Sequence, residues 1–293
     1  MRSVATRRAS AHLDARPSPA SPSRHADTWF LDESVERDAW VDWAHACPPA
    51  IARRLRLRAE RVGDAVLLRA PALPDPSFNR AFGFGPGPGG VRDLSDVLSR
   101  LHEDSPVEIQ LHPEVATPGV RSLLDAEGWT RAGVITKLRC DLTRMAEAPA
   151  TGAARVVGAE HAEAFGHASA RGFDSPECLG RATAAVVGRA GWTAVAVPDG
   201  SAFVSTGLVY AHGGRAWLGF GATTPDARMR GGQLTTIAAR IAQARGQGCT
   251  SAVAEVVGSA AAADRSLRNL QRGGFVTTYE RRRWQRPDTT NAG

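Results

Sequence analysis

Between the apolar run AWLGFGATT and the helix-forming stretch LTTIAARIAQAR, residues 228–233 read RMRGGQ. Arginines beside paired glycines at a strand-to-helix junction are the parts of an anion site. The first turn of a helix has N–H groups without intrahelical partners and the positive end of the macrodipole, so it favours a phosphate. Gly231 and Gly232 let the backbone approach an anion with no Cβ in the way, and Arg228 and Arg230 add charge. The same residues also fit a plain turn with solvated arginines. A second candidate is Glu255, a lone carboxylate in the apolar run TSAVAEVV. Burying it is costly unless it is paired with a cation or takes part in chemistry. His212 falls at a turn and His161 and His167 on a helix surface, so none is assigned a role. No His, Cys, Asp or Glu cluster has ligand spacing, and no metal is expected.

The elements that must position these groups follow from the apolar periodicity. Residues 1–27 are rich in Ser, Pro, Ala and Arg without apolar period and are expected to be a disordered tail. A helical pattern runs from Trp29 through Val35, Ala39, Trp43 and Ala46 to the breaker Pro48-Pro49. DAVLLRAP reads as a strand, SFNRAFGFGPGPGG as an extended run dissolving into a Gly/Pro loop, VRDLSDVLSRLH as a helix and VEIQLHP as a strand. TPGVRSLLDAEGW is a short helix, AGVITKLRCDL a long strand, and 143–153 a linker. The second half repeats the scheme: a strand at ARVVGA, two helices, and three strands joined by Asp199-Gly200 and Gly213-Gly214 turns. A helix over about 232–246, the strand TSAVAEVV, the helix AADRSLRNLQRGG and the strand FVTTYERRRW complete it. Both halves thus share one order of elements, which points to internal duplication.

The stretch 228–233 resembles the acetyl-CoA loop of the GCN5-related N-acetyltransferase (GNAT) superfamily, Gln/Arg-x-x-Gly-x-Gly/Ala between the fourth strand and third helix. Arg228 and Gly231 match; Gln233 stands where the pattern has Gly or Ala. SLRNLQRGGF is similar to the later Asn-containing helix that leads to Gly-Phe in these proteins. The resemblance implies an α+β fold of two GNAT-like domains, each a mixed, mostly antiparallel sheet flanked by helices. The expected boundaries are 28–142 for a degenerate first domain and 154–286 for the acetyltransferase domain. The loop GFGPGPGGVRDL lacks the motif, so the first half is not expected to bind the cofactor.

The resemblance also implies roles. Ala222, Thr223 and Thr224 would bond the pantetheine arm through backbone groups. The amides of Arg228, Met229, Arg230, Gly231, Gly232, Gln233, Leu234 and Thr235 would wrap the pyrophosphate, and Asn269 would stand near the pantetheine. The implied reaction is acetyl transfer from acetyl-CoA, as cosubstrate, to a primary amine of a small molecule or amino acid. It needs a neutral amine, a polarised thioester carbonyl and a proton for the leaving thiolate. Glu255 is the candidate base, with a buried ion pair as its other reading. Leu270 occupies the position of the tyrosine that many members use as acid, which keeps open a non-catalytic CoA-binding or interaction module of the same fold.

Composition bounds these readings. At 293 residues, with 43% hydrophobic and 23% charged, the chain has the usage of an ordinary folded protein. It has no run of about 20 apolar residues and no signal-peptide h-region, so a cytoplasmic protein without membrane contact is expected. The formal charge of +6 admits a nucleic-acid partner, but many arginines lie in the termini MRSVATRR and ERRRWQR, and such a partner is not favoured. Cys47, Cys140, Cys178 and Cys249 are far apart and read as free buried thiols. Monomer and homodimer are both left open.

Overall fold

The computed structural model describes residues 23–73, 75–101, 107–145, 153–262 and 264–286. Residues 1–22 of the expected tail, and 146–152 of the expected linker, lie outside these. From Ser23 the chain is already helical. Helix α1 (Ser23–Ala46) turns Trp40 and Trp43 inward, but also Asp32, Glu33 and Glu36. Pro48-Pro49 does more than end that helix. Pro48 is the N-cap and Pro49 the first residue of α2 (Pro49–Leu55), since proline's fixed φ and missing N–H suit the first turn.

A hairpin follows, β1 (Arg58–Val62) and β2 (Ala65–Arg69), turning at Gly63, whose φ of 58° favours glycine. The sequence signals found β2 and missed both α2 and β1. Next come a short 3₁₀ turn (Pro76–Phe78) and β3 (Arg80–Phe82). Helix α3 (Gly87–Leu98) starts inside the run expected to be a loop, because Pro88 in its first turn tolerates helix and Gly87 supplies the left-handed entry. Strand β4 (Glu108–Leu111), helix α4 (Pro118–Ala126), capped by the Thr117 hydroxyl, and β5 (Thr130–Asp141) complete the first half.

The second half contains β6 (Arg155–Val157), α5 (Ala162–Phe173), α6 (Glu177–Ala184), β7 (Trp192–Asp199), β8 (Ala202–His212) and β9 (Arg215–Thr223). After a 3₁₀ turn at Pro225–Ala227 it continues as α7 (Gly232–Gly246), β10 (Ser251–Val257), α8 (Arg265–Arg272) and β11 (Val276–Gln285).

All the strands join one 11-stranded mixed sheet in the order β1-β2-β3-β4-β11-β5-β10-β9-β8-β7-β6. Most pairs are antiparallel; β3·β4 and β9·β10 are parallel. At the centre the halves exchange their last strands: β11 lies between β4 and β5, and β5 between β11 and β10. Alternation divides the core accordingly. On one face a single apolar cluster under α1, α2, α5 and α6 includes Trp43, Leu68, Phe165 and Trp217 and spans both halves. On the other, α3 and α4 cover one cluster around Leu67 and Ile109, and α7 and α8 cover another around Val209 and Leu218. The four cysteines are buried and unpaired, and among the described residues no helix is long and apolar enough to cross a membrane.

Candidate functional site

Strands β9 and β10 pair only at Ser251–Val253 with Arg215–Trp217. Beyond Trp217 they part. Strand β10 continues along β5 to Val257, while β9 bulges, its register against β8 slipping between Leu208–Gly219 and Thr206–Ala222. Phe220, at the bulge, holds a φ of 50°, which a bulky residue adopts only where packing compels it. Here the compulsion is aromatic: its ring lies 5.2 Å from that of Trp40 and 5.6 Å from that of Trp43, both on α1.

Into the gap between the strands opens a cavity of about 320 Å³. Trp40, Phe78, Trp217 and Phe220 wall it on the α1 side, and Leu218, Ile237 and Leu270 on the α7 side. Phe173, Gly221, Gln233 and Ser266 also line a second, larger groove of about 750 Å³, so the two spaces meet at those residues.

The groove runs along the start of α7. Gly231 is the N-cap, with a φ of 81° and no side chain to satisfy the first-turn N–H groups; a Cβ built on it would meet nothing within 4 Å. Four arginines, Arg228, Arg265, Arg268 and Arg272, line the groove. Three of them stand on α8 at i, i+3 and i+7, one face of a helix. A helix N-terminus without a side-chain cap facing four guanidinium groups is suited to a polyphosphate. The open backbone at Gly231 fits a pyrophosphate group such as that of CoA.

The expected cofactor residues fall in three groups. Ala222, Thr223, Arg228, Met229 and Gly231 line the groove from the β9 side, and Gly232, Gln233, Leu234 and Asn269 from the helix side. Met229 takes a φ of 73° and is highly exposed. Thr224, Arg230 and Thr235 do not line it. Thr224 is buried and its N–H donates to the Val204 carbonyl at 2.9 Å, and the Thr235 hydroxyl donates to the Gly231 carbonyl at 3.2 Å. The departure at Gln233 has a structural role. Its amide donates to Ser266 Oγ at 3.1 Å and its Oε1 accepts from Asn269 Nδ2 at 2.7 Å, joining α7 to α8.

Glu255 lines the cavity on β10, its side chain 15% exposed. Its Oε2 accepts from Trp217 Nε1 at 2.9 Å and from Lys137 Nζ at 3.3 Å. Lys137, the chain's single lysine, is buried on β5 and donates to Glu36 Oε2 at 2.6 Å. Glu36 also faces Arg80 Nη2 at 3.2 Å and the Arg281 guanidinium. Burial opposes ionisation of Glu36, yet Arg281, Lys137 and Arg80 together hold it well below the usual carboxylate range. Tyr279 is spent within this network, donating to Glu33, and Tyr210 packs on Trp192 at 4.9 Å; neither lines the cavity.

Sequence reasoning missed several groups at the site. The α8 arginines were visible as helical spacing in RSLRNLQR. Trp40 and Phe78 gave no signal, because their contact with Trp217 and Phe220 joins distant parts of the chain. Arg240, on α7, reads in sequence as a solvated charge; it is buried and lines the cavity. With no carboxylate near among the described residues, burial draws the pKa of its guanidinium down to about 10.

No family model matches the sequence, and no curated protein matches it. Solved structures do resemble the fold. A GCN5-related N-acetyltransferase from Kribbella flavida superposes with a TM-score of 0.55 at 21% identity, over 83% of this chain and 96% of that one. Another from Sphaerobacter thermophilus gives 0.52 at 15%, over 88% and 94%. A putative GNAT-family acetyltransferase from Novosphingobium aromaticivorans gives 0.52 at 15%, over 87% and 96%. The likeness spans both halves, and at these identities it speaks to architecture: the chain has the fold of the GCN5-related N-acetyltransferases, in a tandem arrangement.

Proposed function

We propose that this protein is an acyl-CoA-dependent N-acyltransferase, in the simplest case an acetyltransferase acting on a primary amine of a small molecule or amino acid. The observation that carries the reading is the junction of the two spaces. A basic, glycine-edged groove at a helix N-terminus runs into a cavity that passes through a gap in the sheet. A phosphate-bearing donor can lie in the groove with its reactive end at Phe173, Gly221, Gln233 and Ser266, while an acceptor approaches from the α1 side.

In this reading the amides from Gly231 onward and Arg228 hold the pyrophosphate. Backbone N–H groups of the bulged strand polarise the thioester carbonyl. Glu255 takes the proton from the amine as its nitrogen bonds to the carbonyl carbon. The C–S bond breaks, and the thiolate is protonated from solvent. The first half contributes Trp40 and Phe78 to the acceptor side and no donor loop. We place the protein in the cytoplasm on the reading of its composition.

One observation favours a second reading, a CoA-binding module without turnover. Leu270 lines the cavity where an acid would serve, and neither tyrosine of the chain does. Calorimetric titration with acetyl-CoA, run beside Gly231→Asp, tests the donor site. The expected result is micromolar binding that the variant loses by at least tenfold, since it puts a side chain and a negative charge into the pyrophosphate path. Equal affinity in a folded variant would remove the loop assignment. Release of CoA thiol that depends on an added amine separates the transferase from the binding module.

A further inference from the structure

Arg240 is 3% exposed and has no counter-ion among the described residues. Its surroundings show how that came about. Leu218 faces α7, and strict alternation would point residue 220 the same way. The bulge instead sends the Phe220 ring to the α1 side, and the vacated space under the sheet holds the Arg240 guanidinium. Two glycines make room for it: a Cβ on Gly207 would lie 2.7 Å from Nε, and one on Gly221 would lie 3.1 Å from Nη2. Among the described residues only carbonyls bind the guanidinium. Nε donates to Thr236 O at 3.2 Å and Nη1 to Gly219 O at 3.2 Å, while Nη2 has no partner among the described residues.

The other buried cations nearby differ in this respect. Arg80, Lys137 and Arg281 each face Glu36. An unpaired buried charge is costly, and a ligand carrying the missing charge removes that cost. Arg240 lines the cavity; its Cα lies eight residues along α7 from Gly232, about 12 Å by helix rise, and its side chain turns back over Thr236 to lie beside Gly221. Gly221 is one of the residues where groove and cavity meet, which puts the guanidinium at the reacting end of a donor held in the groove. A guanidinium held only by carbonyls, with no counter-ion among the described residues, in mainly apolar walls, matches a single negative charge and a planar, two-oxygen group.

We propose that Arg240 is a specificity-determining residue that binds a substrate carboxylate. The carboxylate is carried either by the acyl group, as in a dicarboxylic acyl thioester, or by the amine acceptor, as in an amino acid. The inference rests on the acyltransferase reading and narrows its substrates.

The test measures kcat/KM by CoA-thiol release in two arms. One compares succinyl-CoA with butyryl-CoA as donor; the other compares amino acids with the corresponding amines as acceptors. Wild type is expected to prefer the carboxylate-bearing partner at least tenfold in one arm, and that arm identifies the source. Arg240→Met should reduce the preference to about one, chiefly through KM, while the uncharged partner stays within about threefold of wild type. Arg240→Lys, which keeps the charge, should retain part of the preference. Absence of preference in both arms, or equal loss for charged and uncharged partners in both variants, would overturn the proposal and leave Arg240 as a prop for the bulge. In that case acetyl-CoA binding and amine-dependent turnover would still stand. A protein that binds no CoA thioester by calorimetry would remove the acyltransferase reading and this inference together.

Discussion

Glu255 gives one oxygen, Oε2, to both Trp217 and Lys137, which fixes the plane of its carboxylate at the wall of the cavity. Orientation of this kind serves a base as well as it serves an ion pair, and the two roles separate on substitution. Glu255→Gln keeps the size and an acceptor for Trp217. If the carboxylate accepts the amine proton, the turnover rate should fall about 100-fold with acetyl-CoA affinity unchanged; a rate within threefold of wild type would assign Glu255 to the ion pair alone. His112 invites a different measurement. Its Nδ1 accepts from the Glu114 N–H at 3.1 Å, and its ring stacks on Trp29 at 3.7 Å and meets the edge of Tyr279 at 4.3 Å. Burial draws its pKa down to about 4, Glu33 opposing and Arg281 assisting. The folded state therefore resists a proton that the unfolded chain accepts near pH 6.5, so this contribution is present above that value and is lost as pH falls toward 4. Urea unfolding at pH 7 and pH 5 should show a loss from this group of about 2 kcal/mol, absent in His112→Gln. Equal pH slopes in the two proteins would show that the histidine is not the cause. Of these residues only Glu255 was legible in the sequence, as a carboxylate among apolar neighbours. His112 and Arg240 are ordinary polar residues until the packing around them is known.

The elements that build the groove were the most legible part of the chain. Paired glycines before an apolar helical period mark the start of α7, and Gly273-Gly274 marks the end of α8. What the pattern did not state is the direction the α8 arginines face. Leu267 and Leu270 are buried beneath α8, which turns Arg265 and Arg272 toward the groove. Arg265→Ala and Arg272→Ala should each weaken acetyl-CoA binding about three- to tenfold, consistent with single charge-assisted contacts. The pair together should flatten the salt dependence of the affinity, measured by titration from 50 to 300 mM salt. Unchanged affinity and salt slope would place the phosphates elsewhere along the groove. The elements that escaped notice, α2 and β1, failed for local reasons. Pro48-Pro49 reads as a break although it also begins a helix, and RAERV carries too few apolar residues to declare a strand. The bulge in β9 is a third case: LGFG alternates acceptably, and only the aromatic rings of α1 pull Phe220 to the opposite face.

At the scale of the whole molecule the duplication was legible and its joining was not. Alternating strands name the face each residue takes but not the strand that pairs beside it, and no local signal says that β11 lies between β4 and β5. The exchange makes each half depend on the other. A helix of the first half, α1, then seals the join with acids: Glu36 faces Lys137 of β5, Arg80 of β3 and Arg281 of β11, and Asp32 faces Arg139 and Arg215. Separate opening of the C-terminal half would strip β5 of both neighbours and leave these charges buried without partners, a cost of several kcal/mol. The halves should therefore unfold together. Far-ultraviolet circular dichroism and tryptophan fluorescence should trace one coincident transition in urea. Lys137→Met, which removes the cation between Glu36 and Glu255, should lower the unfolding free energy by about 3 kcal/mol while keeping the transition single. Two resolved transitions, only one of them moved by the substitution, would mean that the shared sheet does not couple the halves. The composite cavity, with Trp40 and Phe78 from one half and Trp217 and Phe220 from the other, would then lack the rigidity that holding an acceptor against a thioester requires.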